Sequence, residues 1–505
     1  MKLVKNLYAS PYLSMIAIFS GAILPLAFAP FGYYLVAEIS LLLLLFVWLR
    51  AVPGRTFWYG WLFGVAFFGC GIYWVFISIH HYGNAPIFLA GLIVALLVAV
   101  LALYPAILGY LLNKFFLENN WSKFLLAFPA GFSILEWFRG WILSGFPWLF
   151  LGYSHVNSPL GGWATVFGAY GVSFLIAQTA SAIFCMFLFC KNKKFIISLV
   201  LLVVLLWIVG LSLTKITWVN QVGEPIQVSL IQGNISQEQK WKRDELMNIL
   251  NIYSFLTAKN FSSKIIVWPE AAIPAYPEDV WLYLKLLSFV AKRNNATVLS
   301  GIPLYDKEKN LTYNGIITLG TNDNGKYYKR HLVPFGEYLP FKFALYWLHK
   351  FFTIPMSDFS RGPKKQPDVI VHNVVLAPFI CYEIAYSCLV LSYVPKAGML
   401  LTVCDDSWFG KSVASAQHLE IAKMRSLEVG RYQLLATNTG ITALINAKGQ
   451  VIRQAQEFKQ LVITEKVLNL TGRTPWVAFG KYLWLPLSLV GLWWAWARRG
   501  NKFEV

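Results

Sequence analysis

Three short stretches hold side chains that together suit attack on an acyl carbonyl. Cys381 follows the apolar run Val374-Val375-Leu376-Ala377-Pro378-Phe379-Ile380 and opens Cys-Tyr-Glu-Ile. Ile265-Ile266-Val267-Trp268-Pro269-Glu270 brings an apolar strand to a carboxylate, and Tyr327-Tyr328-Lys329-Arg330-His331-Leu332 carries a lysine. A thiol attacks as thiolate. It therefore needs a base or a positive field, and a donor to steady the oxyanion that forms. Glu270 can take the thiol proton. Lys329 can favour both thiolate and oxyanion. Glu337, eight residues after Lys329, can orient that lysine or the incoming nucleophile. Taken singly, a cysteine after an apolar strand is also a common packed core residue, and loop Glu and Lys are commonly solvated. The elements around them must decide.

Those elements are expected to be largely membrane. The chain has 505 residues, 57% of them hydrophobic and 13% charged, with mean hydropathy +0.54. Soluble domains carry about 25% charged residues. Apolar stretches of spanning length are expected at 10–29, 32–49, 57–80, 87–112, 122–142, 162–190, 195–214 and 476–497. The first has no clear small-residue cleavage site and a second span follows at once, so it reads as an uncleaved helix. The net charge is +19, and outside 222–473 there are 15 Lys and Arg against four acids. These sit in short loops: Lys2 and Lys5, Arg50 and Arg55, Lys114 and Lys123, Lys191 to Lys194, and Arg498 to Lys502. With eight spans every cluster falls on one side, which the positive-inside rule makes cytoplasmic. Both termini are then cytoplasmic and the long polar segment lies outside. The basic charge reads as topology rather than nucleic-acid binding, since no basic patch sits on a recognition element.

Three regions follow: 1–221 with seven helices, 222–473 as an outer domain, and 474–505 with the eighth helix and a tail. The outer segment is long enough for its own core. Strands are expected at Ile226–Ile231, Ile265–Trp268, Thr297–Ser300, Ile316–Leu319, Val374–Ile380, Met399–Val403 and Leu434–Thr437. Helices are expected at Lys240–Tyr253, Asp279–Arg293 and Ala416–Val429. That alternation argues for an α/β layered domain. Of six cysteines, Cys381, Cys388 and Cys404 fall in this domain. The odd number leaves at least one free or paired to another molecule. No Cys-x-x-Cys or His-Glu-x-x-His is present, so no metal or organic cofactor is expected.

Trp268-Pro269-Glu270, Lys329-Arg330-His331-Leu332 and Cys381-Tyr382-Glu383 resemble the Glu, Lys and Cys motifs of the nitrilase superfamily. Within it the resemblance is to the bacterial apolipoprotein N-acyltransferases. It is carried by His331 to Pro340, Gln232-Gly233-Asn234-Ile235 with Trp241, and Trp408-Phe409-Gly410 followed by Gln417-His418-Leu419. Ser144-Gly145-Phe146-Pro147-Trp148 and Gly168 to Ser173 extend it into the membrane half. The resemblance implies eight helices carrying a periplasmic α-β-β-α sandwich in the inner membrane. It implies Cys381 as nucleophile, Glu270 as general base and Lys329 as oxyanion stabiliser, with Trp241, Glu337, Tyr382 and Glu383 at further functional positions. The implied reaction is ping-pong: a phospholipid acyl chain passes to Cys381 as a thioester, then to the α-amine of the diacylglyceryl-cysteine of a lipoprotein. Two places depart from the family pattern: Cys404-Asp405-Asp406-Ser407-Trp408, where the family has Asn-Asp-Ala/Ser-Trp, and Val413-Ala414-Ser415-Ala416, which lacks a Gly-Pro.

Other residues leave alternatives open. Phe335–Phe352, with eight aromatics and two lysines, suits a segment dipping into a lipid interface or a buried amphipathic helix. Phe146 and Trp148 suit a lipid entrance or an interfacial aromatic belt. Glu136 and Arg139, three apart, are expected as a structural ion pair. His418, Glu420 and Arg425 are expected to pack or to support the site. The expected partners are a phospholipid donor, a lipoprotein acceptor and membrane lipids, with no nucleic acid. A membrane-tethered amidase or acyl hydrolase of the same superfamily is the alternative activity. A membrane sensor with a ligand-binding outer domain is the non-enzymatic one.

Overall fold

The computed structural model of the protein describes residues 11–116, 118–321, 325–338 and 359–499. They form two compact units. One comprises residues up to Val75, Phe88–Ile216 and Pro475 onward; the other comprises Phe76–Ile87 and Thr217–Thr474.

The first unit is helical. Three helices are long and apolar enough to cross a membrane: Ile87–Phe115, Pro159–Leu188 and Lys193–Lys215. Pro53–Gly71 and Trp74–Tyr82, bent by 55°, make a fourth if the pair counts as one span, although from Phe76 on it belongs to the second unit; Pro11–Ala27, Leu35–Leu49 and Leu483–Ala497 are apolar but shorter. The expected span at 122–142 is a π turn, Lys123–Ala127, running into a helix, Phe128–Arg139. It carries three charged residues, Lys123, Glu136 and Arg139. Glu136 and Arg139 do pair, at 3.7 Å. Arg139 also donates to the carbonyls of Phe146, Trp148 and Leu149, and Glu136 accepts the Leu151 N–H. The pair thus pins the chain where it leaves the helix.

The second unit is built on fourteen strands: β1 (Val219–Gln221), β2 (Ile226–Gln232), β3 (Ile265–Val267), β4 (Thr297–Asp306), β5 (Leu311–Gly320), β6 (Lys326–Tyr328), β7 (Val369–Val371), β8 (Val374–Ile380), β9 (Met399–Cys404), β10 (Tyr432–Thr437), β11 (Ala443–Ile445), β12 (Val451–Gln454), β13 (Leu461–Val467) and β14 (Leu470–Gly472). Twelve of them form two six-stranded sheets, ordered β13-β2-β3-β4-β5-β6 and β12-β11-β10-β9-β8-β7, and β1 pairs with β14. Parallel pairing runs through β2-β3-β4 and β8-β9-β10, while the outer strands are antiparallel.

Side-chain alternation sorts the layers. Val228, Leu230, Ile265 and Val267 of the first sheet meet Leu376, Ile380, Met399, Leu401 and Val403 of the second in one core. Ile231, Ile266 and Val298 face the other way, onto helices Leu246–Ala258 and Trp281–Arg293 through Ile249, Leu250, Leu284 and Leu287. Leu435, Ala443 and Ile445 take Leu419 and Ala422 of helix Ala414–Val429. This is an α-β-β-α stack. The expected strands all appear. The expected Lys240–Tyr253 helix is instead Gln237–Lys240 and Leu246–Ala258, separated by Trp241 and a short 3-10 turn.

The unit also takes in Ser78–Tyr82, a π-helical turn that ordinary loop reading assigns to the membrane half. Ser78 Oγ donates to the Trp408 carbonyl at 2.7 Å, and the Tyr82 ring meets Trp408 edge-on.

Trp268-Pro269-Glu270 is held flat on β4. Trp268 N–H donates to Leu299, and Gly301 N–H to Pro269. A Cβ on Gly301 would fall 2.5 Å from the Pro269 oxygen and Ala271 nitrogen and 2.6 Å from Glu270 Cα. All are backbone atoms, so no rotamer change relieves the clash. Gly301→Ala is expected to destabilise the protein by about 1–3 kcal/mol and to displace Glu270. The readout is the thermal midpoint of the purified protein, and an unchanged midpoint would show that β4 yields freely.

Candidate active site

Each candidate side chain stands one to three residues beyond a strand end: Lys329 after β6, Glu270 after β3, Cys381 after β8 and Asp405 after β9. Because β3 and β4 run parallel in one sheet and β8, β9 and β10 in the other, their C-terminal ends gather where the sheets meet. Hydrogen bonds cross there. Asn234 N–H donates to the Asn438 carbonyl, and Asn438 Nδ2 donates to the Ile235 carbonyl at 2.7 Å.

Cys381 turns away from β8 with φ +55°. A non-glycine residue there stores about 1–3 kcal/mol of backbone strain, so something must hold it. Glu383 does. It is fully buried. Its Oε2 accepts the Ile380 N–H at 2.8 Å and the Tyr327 hydroxyl at 2.8 Å. Its Oε1 accepts the N–H groups of Arg330 at 2.7 Å and His331 at 2.9 Å. One carboxylate therefore locks the cysteine turn of one sheet to the lysine loop of the other. Burial pushes Glu383 up from its ordinary value, and the N–H groups of Ile380, His331 and Arg330, with the Lys329 charge, pull against it.

The sulfur of Cys381, a carboxylate oxygen of Glu270 and the sulfur of Cys404 all lie within 4.8 Å of one another. Glu270 is buried and accepts from Asn314 Nδ2 at 2.7 Å, Lys329 Nζ at 3.4 Å and the Asp405 N–H at 3.0 Å. Lys329 is 1% exposed, and its ammonium also donates to Glu337 Oε1 at 2.8 Å. Glu337 is fixed in turn by Asn314 at 2.9 Å and the Val333 N–H at 2.9 Å. A second buried pair braces this one. Lys240 Nζ meets Asp405 Oδ2 at 2.5 Å and donates to the Glu270 carbonyl at 2.9 Å.

Electrostatics follow. Burial raises Glu270; Lys329 and Asn314 lower it, and Glu337 and Asp405 raise it further, leaving it above the usual carboxylate range. Burial works to lower Lys329, but Glu270, Glu337 and Cys381 outweigh it and hold the ammonium well above its ordinary value. The Cys404 thiol beside Cys381 pulls it down, while burial and Glu270 push it up and Lys329 opposes them. The net position is above the ordinary thiol value. Cys381 and Glu270 are thus both shifted toward their protonated forms, beside a lysine held toward its charged one.

Trp241, 42% exposed, follows Lys240 directly. Tyr382 is half-buried, its ring edge-on to Tyr386. Phe335 is 45% exposed and Tyr338 half-buried; residues 339–352 of the expected aromatic segment lie outside the described residues. Phe146 and Trp148 belong to the helical unit. Trp148 is 2% exposed and its ring packs 5.3 Å from that of Trp74, so it is a packed ring and not an open wall. Phe146 is half-buried.

Sequence reasoning missed Asn314 and Lys240, marked Asp405 only as a departure from the family pattern, and expected His418 to pack or to support the site. Asn314 looks like any polar residue in a strand, and Lys240 like a solvated helix residue. His418 Nδ1 lies 3.2 Å from Asp406 Oδ1 and 3.6 Å from Cys404 Sγ, one side chain removed from Cys381. Arg425 pairs instead with Glu428 at 2.6 Å. Among the described residues, two sets of donor atoms are close enough to hold a metal ion, Glu270-Cys381-Cys404 and Cys404-Asp406-His418; both share Cys404.

Residues 20–182 match the family profile described as the apolipoprotein N-acyltransferase N-terminal domain, and residues 227–475 match carbon-nitrogen hydrolase. The apolipoprotein N-acyltransferase of Coxiella burnetii is 46% identical over 470 residues, covering 93% of this chain and 96% of its own. That of Methylococcus capsulatus is 39% identical over 488 residues, covering 96% of each. Among solved structures, Nit3 of Saccharomyces cerevisiae, a nitrilase-superfamily member, aligns with 50% of this chain and 91% of its own at 17% identity and a TM-score of 0.38. By identity and coverage on both halves, the chain belongs to the apolipoprotein N-acyltransferase family.

Proposed function

We propose that the protein moves an acyl chain from a phospholipid to the α-amine of the diacylglyceryl-cysteine of a lipoprotein, through a thioester on Cys381. The observation that carries this is the Cys381 sulfur within 4.8 Å of the Glu270 carboxylate, beside the buried Lys329 ammonium. The match of the helical half to the family's own N-terminal domain favours transfer over hydrolysis.

In the first half-reaction Glu270 takes the Cys381 proton as sulfur attacks the ester carbonyl. An ammonium has three N–H bonds. Glu270 and Glu337 take two of those on Lys329, and the third serves the oxyanion. The C–O bond then breaks and Glu270 passes its proton to the departing lysophospholipid oxygen. In the second half the amine attacks the thioester, Glu270 takes a proton from nitrogen, and sulfur leaves and recovers it. Glu337 fixes Lys329, and Glu383 fixes the nucleophile turn. In the catalytic unit Trp241 and Tyr382 offer rings to the lipid; Phe146 and Trp148, in the helical unit, are proposed separately as lipid-contacting or supporting residues.

Eight spans, with boundaries at 1–221, 222–473 and 474–505, place the catalytic domain in the periplasm and both termini in the cytoplasm of an inner-membrane protein. The Lys and Arg clusters support this. Two exposed native cysteines test it. A membrane-impermeant maleimide added to spheroplasts is expected to label Cys388 and to reach Cys190 only after permeabilisation. Labelling of Cys190 in intact spheroplasts would reverse the orientation.

Cys381→Ser is expected to lower transfer roughly a thousandfold or more while the protein still inserts. Wild-type enzyme incubated with acyl-labelled phospholipid should carry a hydroxylamine-sensitive label on Cys381 that a lipopeptide amine removes. Label released as free fatty acid, with none on the peptide, would instead establish the hydrolase.

The raised Glu270 sets the acid limb of kcat/KM, because only its ionised form accepts the proton. That limb is expected above the ordinary carboxylate value of 4.5. Asn314→Ala removes a hydrogen bond that favours the ionised form, so the limb should move to higher pH. A limb that stays in place would remove Glu270 from proton transfer.

A further inference from the structure

Cys404 ends β9 and Cys381 follows β8, and these strands are parallel neighbours with Ile380 opposite Val403. Both of those residues face the inter-sheet core. Cys404 is the last residue of β9, and Cys381, next after Ile380, turns out of β8 with φ +55° and packs against the same core. The two sulfurs already lie within 4.8 Å of each other, both as free thiols. Apolar packing does not explain Cys404. It is fully buried, yet its sulfur donates to Asp406 Oδ1 at 2.8 Å and approaches His418 Nδ1 at 3.6 Å. It is a thiol held in a polar setting with its sulfur close to that of Cys381.

We propose that Cys404 is the resolving thiol of an oxidative modification site at the active centre, capturing peroxide-oxidised Cys381 as a reversible Cys381–Cys404 disulfide. Two balanced steps suffice. In the first, Glu270 takes the Cys381 proton and sulfur attacks one oxygen of a hydroperoxide. The O–O bond breaks, Cys381 becomes a sulfenic acid, and the departing hydroxide leaves as water with the proton. In the second, Asp406 takes the Cys404 proton and the Cys404 sulfur attacks the sulfenic sulfur. The S–S bond forms, the S–O bond breaks and a second water leaves. Two thiols are oxidised and one peroxide is reduced. Without a neighbouring thiol, a sulfenic acid proceeds to sulfinic acid, which thiol reductants do not reverse. The inference borrows from the proposed mechanism only the ionisation of Cys381 by Glu270. Its primary readout is a mass, so it can fail while acyl transfer stands, and the reverse.

The test treats the purified full-length protein in detergent with hydrogen peroxide, digests it without reduction and maps the peptides by mass. A peptide containing Cys381 joined to one containing Cys404, two hydrogens lighter than the separate thiols, is expected. Transfer activity should fall as this species grows and return with dithiothreitol. In Cys404→Ser, and in Cys404→Ala as a second variant, the same treatment should leave Cys381 as sulfinic or sulfonic acid, with recovery by dithiothreitol roughly tenfold lower. Wild-type protein whose Cys381 appears as sulfinic acid, or joined to Cys388, would overturn the proposal. So would equal recovery of wild type and Cys404→Ala.

Discussion

The unit that holds the site is organised around buried charge that has no water to solvate it. An ion taken out of water loses several kcal/mol of hydration even after relaxation, and Lys329, Glu270, Glu337, Glu383, Lys240 and Asp405 are all at most 7% exposed. Each is admitted because its neighbours replace the lost water. Lys329 lies between two carboxylates. Lys240 lies against Asp405 and a carbonyl. Glu383 has no cation in contact and is held by three backbone N–H groups and a phenol. The arrangement is exacting because the partners come from different strands. Glu270 takes a donor from the end of β9, and Glu383 takes donors from the loop after β6. The two sheets can meet only with their loops in this register, since a slipped register would strand a charge. The same interactions that specify the fold therefore specify the geometry of the Cys381 turn.

The strain at Cys381 belongs to this account. A strand running straight on would have carried the thiol past the point where Glu270 and the Lys329 loop converge. The left-handed turn brings it back, and the Glu383 bond to Ile380 N–H closes the turn from within. Positive φ at a non-glycine residue is unfavourable in isolation. Here it persists because four donors converge on a carboxylate two residues away.

The elements with a strong one-dimensional signature were legible in the sequence. The apolar runs Val374–Ile380 and Met399–Val403 and the alternation in Ile226–Gln232 mark buried strands, and Cys381 and Glu270 stand just beyond expected strands, whereas Lys329 follows β6, a three-residue strand that went unseen. What escaped was pairwise. Asn314 has no local feature to mark it; its importance lies in the 2.7 and 2.9 Å it keeps to Glu270 and Glu337, which only the fold creates. Lys240 and Asp405 are 165 positions apart and form one ion pair. Trp148 reads as an interfacial ring because it stands in a Phe-Pro-Trp loop, but Arg139 gathers the carbonyls of that loop and draws the ring inward. The antiparallel outer strands β7, β11 and β12 went unseen because runs of three or four residues fall below what periodicity resolves.

The charge arrangement also bears on why an acyl-enzyme at this site would await an amine. After acylation Cys381 no longer holds a proton, and Glu270 must be ionised again before a second nucleophile can be activated. Glu270 is pushed upward by burial and by the Glu337 and Asp405 carboxylates, so it is a stronger base than a solvated carboxylate. An amine arriving as its ammonium must first give one proton to such a base and, once Glu270 has released it to solvent, a second as it attacks, and it brings a positive charge into a site where three carboxylates, Glu270, Glu337 and Asp405, stand against the ammonium groups of Lys329 and Lys240. Water brings no such charge. On the proposed chemistry, the acidic excess around the sulfur selects for a cationic acceptor before any lipid contact is made. The selectivity of the second half-reaction then rests on the same buried ions that assemble the sheets.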